Sequence, residues 1–211
     1  MILFTASQAG TGAGATLGNY EELPNYTPDA VNRSRMGIVT FSTGTTATGR
    51  AGTLSNINCY TFKTNQYQLS VSARLGNHAI SDGTDTYQAY IGFLDSITAV
   101  STDGAYFLHD STNANWQCVS RSNNVQTLVN SGVPVQTNRY ALFEIRYDPI
   151  ANALTYYINN VLVATITTNI PNTTTRLLGL GYFINKTVGL IARSITIDYM
   201  ELEIILANSR H

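Results

Sequence analysis

From Met36 onward apolar and polar residues alternate every second position over short stretches, the period of a strand with one buried face. The clearest run sets Ala141, Phe143, Ile145 and Tyr147 against Leu142, Glu144 and Arg146. Asp148-Pro149-Ile150-Ala151-Asn152 interrupts it with a proline that cannot donate to a ladder, flanked by side chains that close turns. Alternation resumes over Ala153 to Ile158. Asn159-Asn160 then offers two residues that tolerate positive φ, and Val161 to Ile166 returns. The stretch predicts three antiparallel strands in succession.

The same reading predicts strands near 36–42, 59–63, 66–75, 86–95, 104–109, 115–121, 125–130, 140–148, 153–158, 161–166, 177–185 and 194–206. No window carries a helical stripe. Thr43 to Thr53 reads as a loop or a glycine-weakened edge strand. Regularly spaced short strands imply an all-β antiparallel sandwich over residues 36–206, with a short tail at 207–211. Residues 1–35 differ. ILFTAS could be a strand, but GTGAGATLG and prolines 24 and 28 predict an extended arm, with Ile2, Leu3, Phe4, Leu17, Tyr20 and Tyr26 as its apolar anchors for assembly. Gly10, Gly12 and Ala15 fit a dinucleotide fingerprint in spacing alone, since no helix can follow through those prolines.

EIRYDP, the YYINNVLVAT hairpin, TTNIP at 167–171 and DGAYFLHDSTNANWQCVSRS at 103–122 together resemble the concanavalin-A-like jelly-roll domains of bacteriophage virion proteins. The resemblance spans roughly Met36 to Leu206. It implies a two-sheet jelly roll and a non-enzymatic virion structural protein, with capsid decoration or cement as the favoured role. Its partners would be other virion proteins, the major capsid protein first, together with copies of itself. A carbohydrate-binding or receptor-binding tail protein is the alternative, and a glycan hydrolase or lyase the third, because this sandwich hosts all of them.

Composition sharpens the picture in three places. Only 12% of the 211 residues are charged and lysine occurs twice, which leaves a polar, uncharged surface suited to packing among other subunits. A net charge of −1 without a basic run disfavours nucleic acid, and no apolar run is long enough for a membrane span. The amino terminus lacks the charged and apolar regions of a signal peptide, which predicts synthesis in the cytoplasm; that this is a host's cytoplasm, with residence in the virion, is what the resemblance implies. Cys59 and Cys118 are too few for a disulfide framework; inert buried thiols are expected, with a bridge as the alternative.

Candidate chemistry is thin. Asp198, Glu201 and Glu203 approach the three-acid strand of jelly-roll glycanases, yet simple parity groups Tyr199, Glu201 and Glu203 on one face and turns Asp198 to the other. His78, His109 and His211 come with no nucleophile elbow. Asp82-Gly83-Thr84-Asp85 reads as a turn that falls short of a calcium ligand set. The expectation is no catalysis, no metal and no cofactor. Thirteen tyrosines and one tryptophan could still make a glycan or partner surface, for which Tyr90, Tyr106, Trp116, Gln117, Arg121 and Tyr157 are the candidates.

Overall fold

The computed structural model describes residues 38–55, 59–76, 79–97 and 100–207. Among these residues there is no helix, and twelve strands form two six-stranded antiparallel sheets. Sheet A contains β1 (Val39–Ser42), β3 (Gln66–Leu75), β8 (Ala141–Asp148), β9 (Ala153–Ile158), β10 (Val161–Ile166) and β12 (Ser194–Ile205), in the order β1-β12-β3-β8-β9-β10. Sheet B contains β2 (Gly49–Leu54), β4 (Tyr87–Leu94), β5 (Gly104–Asp110), β6 (Asn113–Ser122), β7 (Val125–Pro134) and β11 (Gly179–Lys186), in the order β2-β11-β4-β5-β6-β7. The expected arm at 1–35, its apolar anchors, His78 and His211 lie outside the described residues.

Turn chemistry sets the hairpins. Asn159 and Asn160 take φ of 52° and 65°, and Asn123 and Asn124 take 52° and 66°. Two left-handed residues in a row match the twist of the strands they join, so each pair closes a two-residue hairpin. At the β8–β9 turn the Asp148 carboxylate accepts the Ile150 amide at 2.8 Å, and Asn152 turns the chain at φ 46°.

The alternation read from the sequence is what fills the space between the sheets. Leu69, Val71, Ala73 and Leu75 of β3 and Phe143, Ile145 and Tyr147 of β8 face Ala89, Ile91 and Phe93 of β4 and Phe107 of β5 in one buried cluster. Aromatic rings cross the gap: Phe143 lies 5.0 Å from Phe107 and 4.7 Å from Trp116, and Phe107 lies 5.3 Å from Tyr156. The Tyr156 hydroxyl donates to the Val119 carbonyl at 2.7 Å and so ties the sheets together; its burial holds the phenol well above its ordinary pKa.

Two expectations need correction at the sheet B edge. Residues 59–63 form no strand, only a single bridge between Tyr60 and Leu178, because β2 occupies the edge beside β11. Of the two readings of Thr43 to Thr53, the edge strand holds as β2, and glycine is what makes it possible: a Cβ at Gly52 would collide with the Phe183 side chain and backbone. Cys59 is consequently exposed rather than buried in a strand, whereas Cys118 is buried in the core, where desolvation pushes its thiol up to about 12. Both cysteines are free.

Candidate functional site

Four of the six candidate surface residues meet on one face, the side of sheet B turned away from sheet A. Register places Phe183 opposite Tyr90, Tyr90 opposite Leu108, Gly92 opposite Tyr106, Tyr106 opposite Val119, Leu108 opposite Gln117 and Gly104 opposite Arg121. Tyr90 stacks on Phe183 at 4.2 Å and tilts against Tyr106 at 5.4 Å. Gly92 makes room for this, since a Cβ there would run into the Ala105 carbonyl and Tyr106. The face is nevertheless closed. Tyr90, Leu94, Tyr106, Leu108, Val119 and Phe183 form a second buried apolar cluster, and Gln117 is buried against the Asp110 carboxylate. Burial raises the pKa of both tyrosines, and no ring face is open to stack on a sugar. Arg121 remains at the rim with Gln126 and Asn124.

The other two candidates lie elsewhere. Trp116 is a core residue, packed edge-on against Phe143 and His109, because inward parity on β6 is shared with Cys118. Tyr157 lies on the outer face of sheet A, under the Arg146 guanidinium at 4.5 Å.

That outer face of sheet A carries the open polar surface. Strand pairing aligns Glu203, Gln68, Arg146 and Thr155 in one transverse row and Glu201, Ser70, Glu144 and Tyr157 in the next. A groove of about 310 Å³ opens at one end, lined by the polar residues Gln66, Gln68, Arg146, Asp148, Thr155 and Glu203 together with Tyr67, Tyr147, Ala151, Ala153 and Ile205. Glu144 is buried and paired to Arg146, whose own proton is held more firmly by the hydrogen bond it donates to that carboxylate. Arg146 is thus pinned between an acid and a ring, with its side chain still 46% exposed.

The parity argument against a three-acid strand is overturned here. The β12–β3 register slips between Ile197 and Tyr199, so Asp198 is the extra residue of a bulge. Its carboxylate accepts from the Ser72 hydroxyl at 3.4 Å, on the outer face with Glu201 and Glu203. Met200 and Leu202 still pack inward. Sequence alternation carries no mark of a bulge, and this one lies in the strand where parity was used. The groove residues Gln66 and Gln68 were also passed over, although the polar set Gln66, Gln68, Ser70 and Ser72 on β3 was available as a signal.

The remaining motif positions are structural. The Asp82 carboxylate accepts the amides of Thr84 and Asp85, each at 2.8 Å, which lowers its pKa, and Asp85 pairs with the buried Arg193 at 3.0 Å. Among the described residues no three His, Cys, Asp or Glu side chains gather as a metal site. His109 is buried, with Nε2 accepting the Ser81 amide at 3.2 Å. No helix among the described residues is long and apolar enough to cross a membrane.

Two antiparallel sheets packed in this order define a concanavalin-like jelly-roll sandwich, the fold class that the strand pattern implied. Residues 34–198 match the family model described as SO2946-like, C-terminal domain, and the chain belongs to that family. Similar solved structures include the protein of unknown function SO2946 from Shewanella oneidensis MR-1, at 16% identity and TM-score 0.60, covering 83% of this chain and 72% of that one. The alginate lyase AlyC3 superposes at 9% identity and TM-score 0.53, covering 80% and 74%. The potassium-bound carbohydrate recognition domain of Emp46p superposes at 10% identity and TM-score 0.53, covering 77% and 82%. A search of the curated proteins finds no match.

Proposed function

We propose that this domain binds carbohydrate, through the groove on the outer face of sheet A. The observation that carries the reading is the mixed lining of that groove: two glutamines, a threonine, two acidic residues and a pinned guanidinium beside the apolar Ala151, Ala153 and Ile205, around one 310 Å³ recess. Sugar hydroxyls both donate and accept, and amide, carboxylate and guanidinium groups on rigid strands supply matching partners without a large ordering cost. The excess of carboxylate at the rim suits an uncharged, hydroxyl-rich ligand. That a carbohydrate recognition domain and an alginate lyase share the fold supports the reading without identifying the ligand. Capsid decoration, with its virion partners, self-association and location, rests on the family resemblance and the low charge alone. Carbohydrate binding therefore takes precedence. The test is a glycan array followed by calorimetry with the full chain: saturable binding, weakened at least tenfold in Gln68→Ala and Glu203→Ala with the fold intact, is expected. Silence across the array, or binding indifferent to both substitutions, overturns the groove as the site.

A second reading has one observation in its favour. The bulge at Asp198 brings three acids to one face of β12, the arrangement that glycan hydrolysis uses. Binding without turnover is preferred because Glu201 and Glu203 lie in open solvent rather than in the water-excluded setting of a glycosidase acid. Reducing-sugar release that disappears in Glu201→Gln would reverse the preference.

A further inference from the structure

A cavity of about 120 Å³ lies at the other end of β3, under the segment that carries the chain from β7 in sheet B to β8 in sheet A. Its walls include Arg74, Arg139, Gln136, Tyr140, Trp116 and Phe143. Two guanidiniums and no carboxylate line it. Elsewhere the arginines that are anchored most firmly have acids: Arg146 has Glu144, Arg176 has Asp103 and Arg193 has Asp85. Among the described residues neither Arg74 nor Arg139 has an acidic partner.

Arg74 is also held in place. One terminal nitrogen donates to the Asn138 side-chain oxygen, Asn138 is fixed at φ 60° with its amide on the Leu75 carbonyl at 2.8 Å, and the guanidinium lies 5.2 Å from the Tyr140 ring centre. Its Nε is buried with no hydrogen-bond partner among the described residues. A buried donor of a fixed charge is costly to leave unmatched. Planar guanidinium forks match planar carboxylates two bonds at a time. We infer that this cavity is a carboxylate-binding site, sized for the acidic group of a monosaccharide, in which Arg74 and Arg139 take the charge and Gln136 adds a polar contact. The volume equals the share of about four water molecules at roughly 30 Å³ each, enough for a carboxylate and its neighbouring atoms. The sugar part of this inference rests on the carbohydrate reading; the carboxylate part does not.

Trp116 is the single tryptophan of the chain and lines this cavity, so its fluorescence reports on the site directly. The full chain is titrated with sodium glucuronate, sodium acetate and glucose at constant ionic strength in chloride. Glucuronate should change the emission saturably with a Kd of about 1 mM, the range of a single weak site, and glucose should not. Arg139→Gln, at an exposed position, should weaken glucuronate at least tenfold with unchanged thermal melting. Arg74→Gln should do the same, and Arg74→Lys should recover only part of the loss because a lysine is a point charge. Acetate binding as tightly as glucuronate supports the carboxylate site and overturns its assignment to a sugar. No saturable response to either carboxylate up to about 10 mM, ten times that Kd, or full affinity in both glutamine variants, overturns the inference. The groove variants Gln68→Ala and Glu203→Ala leave this titration unchanged, so the two sites fail separately.

Discussion

Replacing Arg146 by alanine tests the arrangement on sheet A most directly, because Glu144 beneath it has little else to neutralise it. The Glu144 side chain is 6% exposed and that of Arg146 is 46% exposed. Breaking a fully buried pair by removing one partner costs about 3–5 kcal/mol, while a surface pair is worth about 0–1 kcal/mol. A pair with one buried and one half-exposed member falls between these limits, so Arg146→Ala should cost about 1–3 kcal/mol, part of it from the lost packing on Tyr157 at 4.5 Å. Glu144→Gln with Arg146→Gln removes both charges together and should cost less than the single Arg146→Gln change. A double-mutant cycle by urea unfolding, read as midpoint shifts at constant slope, isolates the coupling, expected at about 1–2 kcal/mol. A cost under about 0.5 kcal/mol for Arg146→Ala, within the range of a fully exposed pair, would show that water already solvates Glu144. The description of a pinned guanidinium would then fail.

Phe143→Ala should cost about 3–5 kcal/mol, since the ring is buried between Phe107 and Trp116; a denaturant melt shifted by less than about 1 kcal/mol would contradict the face assignment. Thiol titration of the native protein should modify exposed Cys59 promptly and Cys118 only after unfolding, because a thiol pushed up to about 12 is almost wholly protonated at pH 8; fast reaction of both would disprove the burial. Gly52→Val should destabilise the domain by unseating β2 from Phe183, measured as a lowered melting temperature, and an unchanged melt would show that β2 is not held there. Deleting residues 1–35 should leave the sandwich folded by circular dichroism, since the matched family region begins at residue 34; an unfolded product would make the arm part of the core.

What was readable in advance followed from strong local rules. Phe143, Ile145 and Tyr147 face inward because alternation on a half-buried strand leaves them no other place, and Asn159-Asn160 closes a hairpin because few pairs accept two left-handed residues. The losses have equally specific causes. Trp116 is only a candidate for a surface in the sequence, because an aromatic residue offers the same pattern to a core as to a ligand, and only strand pairing decides. Tyr90 and Tyr106 do share a face as a group, but whether that face is open depends on what packs over it, which alternation does not encode. β2 was underrated because glycine weakens a strand in isolation, while here Phe183 needs the space. The groove went unseen because its residues come from β3, β8, β9 and β12, scattered over more than a hundred positions and adjacent only through register.

The bulge at Asp198 also bears on how this strand can change length. In a regular ladder, losing or gaining one residue inverts every side chain beyond the change, which in β12 would drive Glu201 and Glu203 into the core and turn Met200 and Leu202 outward. Asp198 is the residue that the register skips, so its removal leaves Ile197 facing inward and Tyr199 facing outward, as they already do. A one-residue deletion is therefore absorbed at this point in β12, where it would regularise the ladder, remove one carboxylate from the outer face and leave the core unaltered.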